Sequence, residues 1–228
     1  MIKQTTLALA ALVAGSSVQA QEASALSVTV DVSYVTDYVF RGAQLGNASI
    51  QPSVEAAYGD FYAGVWASNP ISNDDDLSEV DLYAGYGLAV TDMLSVDFGV
   101  TRYTYEGGSG DDSTEVYVGL AADMMLSPSL YYYHDFDYEV NSVILSVGHS
   151  LPVDAINASL DFAASVGYIN RVDADDYTYA SVGVAIPYAL SETATLTVGV
   201  EYIYNDTDAF FNGDNDGIVG KAGISIGF

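Results

Sequence analysis

Ile218-Val219-Gly220-Lys221-Ala222-Gly223-Ile224-Ser225-Ile226-Gly227-Phe228 closes the chain and decides how the rest of it reads. With a period of two, Ile218, Gly220, Ala222, Ile224, Ile226 and Phe228 share one face, and Val219, Lys221, Gly223, Ser225 and Gly227 share the other. That is a β-strand with one apolar side and one small or polar side. About 11 residues is what a tilted strand needs to cross a bilayer. A soluble sandwich also ends on such strands, so the choice falls to the preceding residues.

The chain opens Met1-Ile2-Lys3, runs from Leu7 to Val13 almost without a polar atom, and reaches Val18-Gln19-Ala20. A basic start, a short apolar run and small residues before a cut describe a secretory signal over residues 1–20, cleaved after Ala20. The run is too short for a membrane-spanning helix, and no later stretch supplies one. An exported protein without cysteine has no disulfide framework and no thiol metal site, so the backbone ladder and packing must hold the fold.

The formal charge is −26, with 31 carboxylates. Beyond Lys3, the basic residues are Arg41, Arg102, Arg171 and Lys221. Such a chain has no means of neutralising phosphates, which excludes nucleic acid as a partner. A salty habitat gives the same acidity, and both readings stand at this point. Half the residues are hydrophobic and 19 are tyrosine, which excludes disorder.

Alternating segments recur along the whole chain: Leu26–Phe40, Ser49–Tyr58, Phe61–Asn69, Ser78–Val90, Leu94–Tyr105, Ser113–Asp123, Ser129–Phe136, Glu139–Ser150, Asn157–Ile169, Tyr177–Ala189, Ala194–Tyr204 and Asp216–Phe228. After the even members come tight turns: Gly59-Asp60, Thr91 to Met93, Met125 to Pro128, Pro152 to Ile156, and Ser191 to Thr193. After the odd members come longer acidic connections: Pro70 to Leu77 with Asp74-Asp75-Asp76, Glu106 to Asp112, Arg171 to Asp176, and Asn205 to Asn215. The exceptions are the first and fourth outer connections, after Phe40 and after Phe136, which are brief. Short turns at one end and long loops at the other is the outer-membrane arrangement. The expected fold is all-β, one antiparallel transmembrane barrel of about 12 strands over residues 21–228.

The faces support a barrel over a sandwich. Val80, Leu82, Ala84, Tyr86 and Leu88 alternate with Glu79, Asp81, Tyr83, Gly85 and Gly87; Leu94, Val96, Phe98 and Val100 alternate with Ser95, Asp97, Gly99 and Thr101. Hydrocarbon accepts only the apolar side. The other side is glycine, serine and carboxylate, unlike the packed interior of a sandwich. Tyr38, Phe40, Tyr103, Tyr105, Tyr132, Phe136, Tyr168, Tyr202 and Tyr204 gather at outer strand ends, and Tyr58, Phe61, Tyr188 and Phe228 near the turns, as two interfacial belts.

Val32-Ser33-Tyr34-Val35-Thr36-Asp37-Tyr38-Val39-Phe40-Arg41-Gly42, with Phe61 to Asn69 and Glu79 to Tyr86, resembles the TorF family of porins, small proteobacterial outer-membrane barrels of largely unassigned substrate. The resemblance is clearest over Val32–Tyr86. Where that family usually continues Arg-Gly with Ser-Gln, this chain has Ala43-Gln44, so the first outer loop differs. The terminal Phe228 resembles the closing residue of bacterial outer-membrane barrels. The resemblance implies a channel in the lipid of the outer membrane, assembled by the barrel-assembly machinery through Phe228. It implies no solute.

Projecting the polar faces inward puts Asp37, Glu55, Glu79, Asp81, Asp97, Glu115, Asp135, Asp161 and Glu201 in the lumen, with Arg41 and Lys221 as counter-charges. Carboxylates in a confined pore concentrate cations and repel anions. The expected function is passive diffusion of small polar or cationic solutes. The alternatives are a non-conducting surface barrel whose acidic outer loops bind ions or a partner, and a soluble periplasmic β-domain.

No enzyme is expected, and no catalytic residue or cofactor. His149 and Ser150 are adjacent, so a strand points them to opposite faces, and His134 lies at the other end of its strand from His149. Asn212 to Gly217 has oxygen-bearing side chains but not the spaced ligands of an EF-hand loop, so no metal site is assigned.

Overall fold

The computed structural model describes residues 25–71, 78–106, 111–172, 174–207 and 213–228. The signal segment, the Asp74-Asp75-Asp76 run and Asn212 lie outside the described residues.

The strands are β1 (Leu26–Val35), β2 (Tyr38–Phe40), β3 (Ala43–Gly46), β4 (Ser49–Tyr58), β5 (Phe61–Pro70), β6 (Ser78–Ala89), β7 (Leu94–Glu106), β8 (Ser113–Ala122), β9 (Ser129–Asp135), β10 (Val140–Val153), β11 (Ala158–Arg171), β12 (Tyr177–Ala189), β13 (Ala194–Asn205) and β14 (Asp216–Gly227). Twelve of them, β1 and β4 through β14, pair with their chain neighbours into a closed antiparallel barrel. Closure joins β14 to β1 in the register Val30↔Ile226 and Tyr34↔Ala222. Among the described residues every barrel strand has a paired neighbour on each side, as hydrocarbon requires.

The wall is inverted relative to a soluble core. Leu82, Phe98, Val118, Leu130, Val182, Val200 and Ile218 stand exposed on the outside, while Glu79, Asp81, Asp97, Thr101, Glu115 and Asp161 are buried within. Side chains that meet across intervening strands show that these polar groups point inward. Tyr62 of β5 reaches Asp97 of β7 and Tyr117 of β8, and Tyr131 of β9 reaches Asp97 over β8.

Glycine and tyrosine share the inner wall by register. Gly64 pairs with Tyr83, Gly85 with Tyr62, Gly99 with Tyr117, Gly119 with Tyr131, and Gly167 with Tyr179. In each pair the ring lies over the glycine, so a side chain there would strike it; a Cβ on Gly99 would stand 2.5 Å from the Tyr117 hydroxyl. The glycines let the rings lie along the wall, and the rings cover backbone that a side chain would otherwise shield.

Two expectations need correction. Leu26–Phe40 is not one strand: β1 stops at Val35, and Tyr38 to Gly46 turns inward as a hairpin outside the barrel wall. Its turn residues, Arg41 and Gly42, have φ of 49° and 80°. Positive φ at both central positions matches the right-handed twist of the flanking strands, as in a type I′ turn, and glycine suits the second position. The connection expected at Pro152 is instead strand, since β10 runs on to Val153 before one 3-10 turn at Asp154–Ile156. Pro152 pairs only with Ser159 of β11, because β9 begins at Ser129 opposite Ser146. An edge with no second partner has no use for the N–H that proline lacks.

Candidate functional site

The hairpin spans the lumen at the outer ends of the strands. Its first strand is held by Val39 against Val35, Ile203 and Val219, a small apolar cluster inside the barrel. The Tyr38 hydroxyl donates to Glu79 Oε2 at 2.7 Å, and its ring packs on Trp66 at 5.5 Å between centroids. The tip also rests on β12 and β13, where the Gly42 carbonyl accepts from Asn205 Nδ2 at 3.1 Å and Gly42 leaves no room for a Cβ beside Tyr179.

Arg41 is the fastening. Nη1 and Nη2 donate to Glu115 Oε2 and Oε1 at 2.6 and 2.7 Å, and Nη1 also donates to Ser142 Oγ at 3.1 Å. The Tyr103 hydroxyl donates to Glu115 Oε1 at 3.0 Å. Tyr133 and Phe40 face the guanidinium at 4.0 and 4.6 Å from their ring centroids. Arg41 is 5% exposed and Glu115 3%. A planar fork, a carboxylate and two aromatic faces form the strongest pairing an arginine has. Only Nε lacks a hydrogen-bond partner.

Below the hairpin the lumen is lined by acids and tyrosines. Asp97 accepts from Tyr62 at 2.8 Å and Tyr131 at 3.0 Å, while Tyr62 also bonds the Tyr117 hydroxyl. Glu55 accepts from Tyr83 at 3.0 Å. Asp81 follows Glu79 on the same face of β6, and its Oδ1 is buried with no hydrogen-bond partner. Asp161 accepts from Ser150 Oγ at 2.5 Å, directly across β10 and β11. Glu201 lies between Ser181 and Lys221, whose charge also faces Asp31.

Two of the residues expected to line a pore do other work. Asp37 lies in the bend after β1, where its Oδ1 accepts from Gln44 Nε2 at 2.9 Å and ties the root of the hairpin. Asp135 caps the β9–β10 turn, accepting from the backbone N–H of Asp137 at 2.9 Å and Tyr138 at 2.8 Å. Both carry the inward phase, but at the strand ends Asp37 is taken up by a side-chain amide and Asp135 by the open backbone donors of the turn. Asp31 was missed: it has the same phase as Ser33 and Val35 and accepts from Ser33 Oγ at 2.7 Å. Tyr38 and Tyr103, expected in an outer belt, are buried inside, and Phe40 packs on Tyr103 at 6.0 Å. Tyr132, Phe136, Tyr168, Tyr202 and Tyr204 are exposed on the outside, as are Tyr58, Phe61, Tyr188 and Phe228 at the other end.

The remaining arginines serve the outer rim. Arg102 lies 3.2 Å from Asp112 and 3.7 Å from Asp137, and Arg171 Nε donates to the Asp175 carbonyl at 2.8 Å. His149 is outward and Ser150 inward, committed to Asp161. His134 packs edge-on against Phe136 at 4.8 Å, with Nδ1 3.0 Å from Asn141 Oδ1.

Solved barrels share this architecture at low identity. The KdgM porin superposes with a TM-score of 0.63 over 88% of this chain and 99% of its own, at 11% identity. An outer membrane channel from Pseudomonas putida F1 gives 0.59 over 92% and 97%, at 10% identity. The NanC porin gives 0.58 over 87% and 98%, at 16% identity. Identity this low shows a common fold alone. No curated protein matches the chain. The family model Gcw_chp, described as a bacterial protein of unknown function, matches residues 19–219, and the chain belongs to that family.

Proposed function

We propose that this protein is an outer-membrane channel for small polar or cationic solutes, exported by a signal cleaved after Ala20. One observation carries the reading: a closed barrel, apolar outside, whose interior holds Glu55, Glu79, Asp81, Asp97, Glu115, Asp161 and Glu201 against Arg41 and Lys221. Lipid accounts for the outside, but a wall needs no such charge imbalance inside. Acids in a confined lumen raise the local concentration of cations and exclude anions. Asp97, Asp81, Glu115 and Glu201 are the charges we assign to solute passage, with Arg41 and Lys221 opposing them. The TorF resemblance implies a channel but no particular solute or lining residue, and Phe228, exposed beside β14, suits recognition by the barrel-assembly machinery. We assign no catalytic residue.

The second reading is a non-conducting barrel, and the hairpin from Tyr38 to Gly46 favours it, since it crosses the lumen and buries its own arginine. The test is single-channel recording of the refolded protein in a planar bilayer across a salt gradient. Current steps with a cation-selective reversal potential, weakened by Asp97→Asn with Glu201→Gln, support the channel. Silence from folded, inserted protein, persisting after the hairpin is excised, refutes it.

A further inference from the structure

We infer that the pocket around Glu115 is a guanidinium-binding site whose resident is Arg41, and that free alkylguanidinium compounds compete for it and release the hairpin. The inference deepens the channel reading and names one ligand class for the same lumen. The pocket has the parts that recognise a guanidinium: a carboxylate at 2.6 and 2.7 Å for the paired N–H groups, the Ser142 hydroxyl at 3.1 Å, and Tyr133 facing the plane at 4.0 Å. Tyr103 holds Glu115 in position at 3.0 Å. These groups come from the barrel wall, on β7, β8, β9 and β10. Of the groups around the guanidinium, Phe40 alone belongs to the hairpin and leaves with it. The carboxylate, the hydroxyl and the Tyr133 face stay on the wall, ready for another guanidinium.

The resident is also imperfectly matched. Arg41 Nε is buried without a partner. An unsatisfied donor opposes the docked state, and departure of the side chain into water relieves it. Sodium and potassium cannot replace a planar fork, and a quaternary ammonium has no donors to offer Glu115. Guanidinium chemistry, rather than positive charge alone, is thus what the site selects. The neighbouring buried acids Glu79 and Asp81 attract any cation toward it, which raises encounter without deciding identity.

Trp66, the single tryptophan, packs on Tyr38 of the hairpin and reports its position. The experiment titrates refolded full-length protein in detergent with methylguanidinium chloride, against sodium chloride and tetramethylammonium chloride at equal ionic strength, following Trp66 emission. We expect a saturable change with methylguanidinium alone, at non-denaturing concentrations. Arg41→Lys keeps the charge but loses the fork, so its midpoint should fall about tenfold, the equivalent of one weakened charged hydrogen bond. Arg41→Ala leaves no guanidinium to displace, so its emission should respond to methylguanidinium no more than to sodium chloride, and adding Glu115→Gln to Arg41→Lys should abolish saturation. An identical response to all three salts, or a midpoint unmoved in folded Arg41→Lys, overturns the inference. Conductance is read on the same preparations. Saturable emission without current upholds the site and refutes the channel; current with salt-indifferent emission does the reverse.

Discussion

Glu115→Gln is expected to unfasten the hairpin while leaving the barrel closed. The backbone of Glu115 pairs with Thr101 on one side and Asp135 on the other, and neither ladder depends on its side chain. The side chain takes two hydrogen bonds from Arg41, at 2.6 and 2.7 Å, and one from Tyr103 at 3.0 Å. A glutamine offers one acceptor and turns its own N–H groups toward the second guanidinium arm. Hydrogen bonds to charged groups are worth about 1.5–3 kcal/mol each, and stranding one partner of a buried pair costs about 3–5 kcal/mol. Arg41 can escape into water with the hairpin, which caps the penalty near the lower figure, about 3 kcal/mol. That shifts the ratio of docked to undocked hairpin by about 150-fold. Opposing release is the apolar cluster of Val39 with Val35, Ile203 and Val219, unchanged by the substitution. Trp66 emission should move as Tyr38 leaves its ring, and open probability in a planar bilayer should rise in parallel. Refolded Glu115→Gln protein with wild-type emission and wild-type open probability would refute the reasoning, because the fork would then carry no part of the docking free energy.

Gly99→Ala should lower the unfolding free energy of the barrel, followed in denaturant, by about 1–3 kcal/mol, since its Cβ meets both the Tyr117 hydroxyl and the Ala84 carbonyl at 2.5 Å, whereas Gly227→Ala, with nothing near, should be silent. Asp135→Ala should destabilise by about 1–2 kcal/mol through loss of the two turn bonds, without moving the reversal potential; a changed reversal potential would return Asp135 to the pore lining. In the loop after β11, the Tyr168 hydroxyl, at 2.6 Å, and the Arg171 backbone N–H, at 3.0 Å, hold the Asp176 carboxyl below its ordinary 3.8. A depressed carboxylate protects the loop above that ordinary value and loses hold as pH falls through the lower folded one. The protection factor of the Arg171 amide, its exchange rate divided into the intrinsic rate at each pH, should therefore be high at neutral pH and fall only below about pH 4, and Asp176→Asn should remove that fall.

The barrel was readable because each strand states its own orientation. Val80 and Leu82 against Glu79 and Asp81 need only the alternation of the pleat and the demand of hydrocarbon for apolar surface. Turns such as Gly59-Asp60 and Ser191 to Thr193 were legible for the same reason, since they interrupt a local pattern. The site was half legible. The inward phase of Asp97, Glu115 and Glu201 follows from their strands, but which of those acids meets a cation depends on strands far apart in sequence. Asp37 and Asp135 carried the inward phase but sit at strand ends, where a hairpin side-chain amide takes the first and turn backbone donors take the second. The hairpin escaped because Tyr34 to Phe40 alternates without a break; only Arg41-Gly42 signalled a turn, and a two-residue turn serves an outward loop as well as an inward one.

The sequence by itself determined a closed wall with an acidic interior, because alternation and length are local properties that lipid reads directly. Tertiary structure alone decided that β1 ends at Val35, that Tyr38 to Gly46 crosses the lumen, and that Arg41 meets Glu115, 74 residues away. The reason is geometric. A strand pattern specifies which way each side chain faces, while the distance between inward-facing groups exists only once β14 has closed on β1.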